Sequence, residues 1–154
     1  MARLHYLTVQ DILWINHQLA KKVLGFRYAT LEEATFYQYS YGESTEVPAQ
    51  AVRFLTGFLR LKPLDALNEA TGLVGAIAFV RINGGSVDLA DTDCDVTALW
   101  VRENAAGFAE RIQMAHPDEH GEHAPPAVRD TISAIIREYP LTLPKLSMAE
   151  IVGA

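Results

Sequence analysis

Residues 48–85 read PAQAVRFLTGFLRLKPLDALNEATGLVGAIAFVRINGG, and the rest of the chain is arranged around this stretch. Between Leu67 and Ile82, the residues Leu67, Leu73, Val74, Ile77, Ala78, Phe79 and Val80 are separated by small ones. A helix with that composition is apolar on nearly every face and must be central. Ahead of it Pro48 suits a first helical position, and Val52, Leu55, Phe58 and Leu59 recur at three- and four-residue spacings, which predicts an amphipathic helix of about three turns. Lys62-Pro63 breaks the pattern. The order is therefore helix, short loop, buried helix, and the loop brings the side chains from Lys62 to Leu67 to the start of the second helix. Unpaired backbone N–H groups and the helix dipole make such a place suited to anions.

Residues Lys62-Pro63-Leu64-Asp65-Ala66-Leu67-Asn68-Glu69-Ala70-Thr71, with Arg81-Ile82-Asn83-Gly84-Gly85 closing the following helix, lie in the register of a known signature. They resemble the Fic/Doc family motif His-Pro-Phe-x-(Asp/Glu)-(Gly/Ala)-Asn-(Gly/Lys)-(Lys/Arg), in which a second helix ends near Leu-Asn-Gly. The opening, Tyr6-Leu7-Thr8-Val9 with Arg27 and Leu31-Glu32-Glu33 further on, is similar to the Doc-type beginning. The resemblance spans roughly Tyr6 to Ile112. It implies an all-α, Fic/Doc-like helical bundle around the buried central helix at about Leu67–Ile82. It also implies a short β-hairpin flap, for which Tyr41-Gly42-Glu43-Ser44-Thr45-Glu46 is the candidate and an ordinary surface loop the plainer reading. The family further implies a bacterial toxin–antitoxin setting.

In that family the His accepts the proton of the target hydroxyl, the acid holds magnesium, the small residue leaves room for phosphates, and the basic residues bind them. Here Lys62 replaces the His, Ala66 the acid, Leu67 the small residue, Glu69 a Gly or Lys, and Ala70 the last basic residue. Nucleotidyl and phosphoryl transfer depend on positioning and on stabilising phosphate charge, so these changes remove the working parts. A unit charge at about 4 Å and an effective dielectric of about 20 is worth roughly 4 kcal/mol, and reversing its sign roughly doubles the swing. Asp65 and Glu69, by contrast, suit the first turn of an ordinary helix. The resemblance thus implies a catalytically degenerate protein with a protein-binding, regulatory or structural role, and no bound cofactor. One alternative is a toxin-like AMP- or phosphate-transferase using ATP and magnesium, with Lys62 as proton acceptor or phosphate contact and Asp65 or Glu69 recruited to the metal. Asn68 and Thr71 complete the remnant motif.

The whole chain frames these readings. Its 154 residues carry 49% hydrophobic and 21% charged side chains, the balance of a single globular domain. Cys94 is the one cysteine, so no internal disulfide forms and a reducing cytoplasm is expected. The start, Met-Ala-Arg-Leu-His, lacks the apolar core of a signal peptide, and Ala70–Val80 is too short to cross a bilayer. Net charge is −6, and acids outnumber Arg102 and Arg111 between Asp91 and His123, which argues against nucleic acid. The expected partner is a protein or a second copy of the chain.

In order along the chain, Thr8-Val9-Gln10-Asp11 resembles a capping box opening a helix to Leu24, with Ile12, Ile15, Leu19 and Val23 inward and Gly25 as the stop. Asn16 and His17 read as its polar edge, and Trp14 as core or interface. Thr30-Leu31-Glu32-Glu33 is a second box, heading a short helix toward Phe36, Tyr37 and Tyr39. With Tyr41 these aromatics form either a partner patch or the underside of a helix. Asp91, Asp93 and Asp95 alternate as a calcium loop begins, but Val96 and Arg102 stand where that loop needs Gly and Glu. Heading a helix is their simpler role. Val96, Leu99, Trp100, Phe108, Ile112 and Met114 recur at helical spacing, with Gly107 a point where two helices divide.

Residues 1–114 are therefore read as the main helical domain, 115–126 as an acidic His/Pro-rich linker, and 127–154 as a C-terminal helix and tail on the same domain or on a second subunit. The linker holds His116, His120 and His123, which offer a zinc or nickel site as a further alternative. Beyond it, Ala127–Tyr139 predicts a helix with Val128, Ile132, Ile135 and Ile136 inward, ended by Pro140. Pro144 punctuates the apolar tail, and Ser147–Glu150 would cap a last turn.

Overall fold

The computed structural model describes residues 4–39, 46–115 and 127–152, the last four for their backbone alone. In chain order the elements are α1 (Val9–Ala20), α2 (Tyr28–Phe36), α3 (Val47–Leu61), α4 (Asn68–Ile82), β1 (Gly85–Val87), α5 (Cys94–Arg102), β2 (Ile112–Met114), α6 (Val128–Glu138) and α7 (Thr142–Val152). The described residues thus form a mostly helical domain with one small sheet, which agrees with the all-α expectation. None of their helices is long and apolar enough to cross a membrane.

Helix α4 is the axis, buried along its whole length except at Glu69 and Arg81. Helices α1, α3, α6 and α7 all pack on it. Its small residues explain the closest of these contacts. A Cβ added at Gly72 would lie 3.0 Å from the Phe58 ring, and one at Gly75 would lie 3.1 Å from the Phe54 ring. Two aromatic side chains of α3 therefore sit directly against the α4 backbone, and Leu55 fills the space beside them. The amphipathic pattern of α3 and the all-round apolarity of α4 are complementary: one helix has one buried face, and the other is surrounded.

Helix α1 opens on the expected capping box. The Asp11 N–H donates to Thr8 Oγ1 at 3.1 Å, and the Thr8 N–H donates to Asp11 Oδ2 at 2.9 Å. It does not reach Leu24. Lys21 adopts a left-handed conformation (φ 59°, ψ 26°) and its N–H closes on His17 O, leaving Val23 79% exposed. The reason is tertiary: the chain must turn here so that Phe26 can pair with Leu64 in an antiparallel bridge. Gly25 is consequently not the stop but a point of close approach, where an added Cβ would lie 2.3 Å from Asp65 Oδ2.

The second expected capping box lies within its helix and not at its start. Helix α2 begins two residues before Thr30, with Arg27 as its N-cap and no side-chain cap bond. The Arg27 N–H donates to Pro63 O and its carbonyl accepts from Leu31, so the bridge to the 62–67 loop sets where the helix starts.

Past Arg102 the helical spacing is overruled. Asn104, Ala105 and Gly107 have φ values of 60°, 58° and 82°, which reverse the chain. Phe108 then stacks on Trp100 with ring centroids 5.8 Å apart, and Ile112–Met114 returns as β2 antiparallel to β1, with Val87 opposite Ile112. A 3-10 turn at Asp91–Asp93 precedes α5, and Asp95 lies in the first turn of that helix.

Helix α6 follows the expected pattern, with Ile132 and Ile135 fully buried. The tail is more regular than expected. Thr142–Val152 is one helix, Pro144 falls in its first turn where a missing N–H costs nothing, and Ser147 donates to Leu143 O from within it.

Candidate functional site

The loop that carries the motif-like residues is tied at every turn. Lys62 caps α3 in a left-handed conformation (φ 45°, ψ 63°), and its N–H donates to Phe58 O at 3.0 Å. The Arg27 guanidinium donates to the carbonyls of Leu61 and Lys62, answering the negative end of α3. Pro63 and Leu64 are buried against the 25–27 segment, and the Asp65 N–H donates to Gly25 O at 3.0 Å. Leu67 then takes a left-handed conformation (φ 62°, ψ 34°) as the N-cap of α4.

Asn68 holds this turn together. Its Nδ2 donates to Leu64 O and its Oδ1 accepts from Leu64 N–H, both at 2.9 Å, so one amide satisfies both backbone groups of a buried residue. Thr71 lies one helical turn further on and is fully buried. Asn16 reaches it from α1, donating to Thr71 Oγ1 at 3.2 Å and to Ala66 O at 3.1 Å. The reading of Asn16 as a polar edge is thereby corrected. It is 0% exposed, and its partners lie 50 and 55 residues away, beyond the reach of a sequence pattern.

The five remnant-motif residues therefore divide. Asn68 and Thr71 are buried and bonded within the protein, Glu69 is half-buried, and Lys62 and Asp65 stand exposed. A general-base lysine calls for a desolvated setting, and Lys62 does not occupy one. Among the described residues no group of three or more His, Cys, Asp or Glu side chains converges. His116, His120 and His123 lie outside the described residues, as does the flap candidate except for Glu46, which is the N-cap of α3.

Asp91 has an assignment that sequence spacing did not suggest. Its carboxylate accepts from the N–H groups of Leu141 and Thr142 and from the Thr142 hydroxyl, capping α7 rather than its own helix. Of the aromatics expected to form a patch or a helix underside, Phe36 and Tyr39 are both exposed, Tyr39 also stacking on Tyr6 with centroids 4.1 Å apart, and Tyr41 lies outside the described residues.

Two of the concavities formed by the described residues adjoin these elements. The larger, of about 550 Å³, lies beside the motif-like loop and is bounded by the end of α1, by Ala66 and Leu67, and by the α6–α7 corner. Its walls are chiefly Leu19, Leu24, Ile136, Leu143 and Met148. Lys21 and Lys22 stand at the α1 end. The smaller, of about 450 Å³, is lined by Tyr37, Arg53 and Arg60. Its arginines are already engaged, Arg53 with the carbonyls of Tyr37 and Tyr39 and Arg60 with the Tyr37 hydroxyl. The larger groove had one legible signal, the Lys21-Lys22 pair. Its walls come from separated segments and had none.

Comparison with protein-family models, with curated proteins and with solved structures returns no match to this chain.

Proposed function

We propose that this chain is a catalytically degenerate, Fic/Doc-like binding protein that acts in a reducing cytoplasm through a partner or ligand and transfers no nucleotide. The observation that carries the reading is the use made of the motif-like loop. Asn68 holds the backbone of Leu64, Thr71 is bonded to Asn16, and Leu67 takes the N-cap position where a phosphate site would present a small residue. These side chains stabilise a joint between α1, α3 and α4. The adjacent groove supports the same conclusion: its walls are apolar, which suits binding by burial, whereas transfer chemistry requires convergent polar groups.

Calorimetric titration with ATP, GTP, CTP and UTP, each with and without magnesium, tests this. The expected outcome is no saturable heat at two temperatures. Magnesium-dependent, saturable binding of any one nucleotide would overturn the proposal, and loss of transfer to a protein hydroxyl in Lys62→Ala would then establish the transferase alternative.

A further inference from the structure

We infer that the groove between α1, the 66–67 loop and the α6–α7 corner binds a single-chain carboxylate of the fatty-acid class, with the hydrocarbon on the apolar walls and the carboxylate at Lys21 and Lys22. The inference rests on the binding-protein reading and names its ligand.

Size is the first argument. At about 550 Å³ the groove lies within the range of about 300–1,000 Å³ usual for small-molecule sites. The polarity of its walls is the second. Tyr139 and Ser147 contribute hydroxyls to the lining, but the first donates to Leu89 O at 2.9 Å and the second to Leu143 O at 2.9 Å. Pro140 and Pro144 bring no N–H at all. Apart from the amide of the exposed Gln18, a ligand body that demanded many hydrogen bonds would find few donors on these walls, whereas a hydrocarbon needs none. Met148 adds an adaptable wall suited to a flexible chain.

Charge is the third argument. The chain has 19 acids against 13 Lys and Arg, yet among the described residues the only charged side chains lining this groove are Lys21 and Lys22, both exposed. Lysines at a helix C-terminus also answer the dipole of α1, which explains why they are tolerated there. That role does not account for the open apolar surface beneath them. Two ammonium groups at one end of a hydrocarbon-lined groove complement a molecule with an anionic head and an apolar tail.

The test uses the full chain and sodium dodecanoate below its micelle-forming concentration, with dodecanol as the uncharged control, by calorimetry. Saturable one-to-one binding of dodecanoate is expected, tighter than that of dodecanol. Each lysine acts as an exposed ion-pair donor, so Lys21→Ala with Lys22→Ala should weaken dodecanoate by about fivefold or more and leave dodecanol unchanged. Met148→Asp places a carboxylate on an exposed wall position and should weaken dodecanoate by about tenfold without unfolding the chain, circular dichroism being the check. Absence of saturable binding, equal affinity for dodecanol, or binding indifferent to these variants would overturn the inference. An acidic apolar peptide that saturates the groove while dodecanoate does not would also overturn it, yet leave the binding-protein reading in place. Magnesium-dependent nucleotide binding would overturn that broader reading instead.

Discussion

Helix α4 is clasped at both ends by an asparagine that accepts from one residue's N–H and donates to the same residue's carbonyl. At the N-terminal end Asn68 holds Leu64, four residues earlier in the same loop. At the C-terminal end Asn83 holds His5, 78 residues away, with distances of 2.7 Å and 2.9 Å, and also donates to Phe79 O. Gln38 does the same for Leu7, so the extended N-terminal segment is strapped by two side-chain amides where a sheet would have used a neighbouring strand. The two ends of α4 use one chemistry at very different reach. The near clasp shapes a loop, and the far one docks the beginning of the chain onto the core.

Breaking the clasps separates these roles. Asn68→Leu strands both backbone groups of Leu64, which is 2% exposed, and should destabilise the fold by about 3 kcal/mol in urea denaturation. Asn83→Leu should cost less, about 2 kcal/mol, because His5 is only half-buried and water can replace part of what is lost. If the two losses were equal, burial of the held residue would not be what distinguishes the ends. Hydrogen exchange sharpens the point: the Asn83 variant should expose the amides of residues 5–7 before those of α4, whereas the Asn68 variant should expose α3 and α4 together.

Asp91 extends the comparison to a third helix end, where a single carboxylate performs the capping. Asp91→Ala should lower stability by about 1 kcal/mol, with exchange at Leu141 and Thr142 rising first. The smallest effect belongs to the exposed side of the C-terminal end of α4. Arg81 meets Glu138 of α6 through two bonds of 2.5 Å and 2.9 Å, and the hydrogen bond from Arg81 is the main cause that holds the Glu138 carboxyl below its ordinary value. The pair's stabilisation is therefore complete above roughly pH 4.3, the value of an unfolded glutamate, and is lost as pH falls through the lower folded value. Glu138 is 49% exposed, so Glu138→Gln should flatten the acid limb of stability by less than about 1 kcal/mol, and added salt should shrink that further.

The capping box of α1, the amphipathic face of α3 and the all-round apolarity of α4 each follow from residues within a few positions of one another, and each was legible in the chain itself. So was the break at Lys62-Pro63, because proline ends a helix from local causes. The extra turn expected of α1, the start of α2 and the helix expected through Ile112 were not. Each was displaced by a partner far along the chain, Leu64 for Phe26, Pro63 for Arg27 and Gly85 for Met114.

Sequence by itself determined a helical domain built on one enveloped helix, since periodicity and small-residue spacing act over a few turns. Only the tertiary structure decided that Asn16 faces Thr71, that Asp91 caps α7, and that Leu19, Leu67, Ile136 and Leu143 share a groove under two lysines. The physical reason is the same in each case. A hydrogen bond or an apolar wall is defined by the atoms that meet, and packing around α4 brings together residues that the sequence keeps 50 or more positions apart.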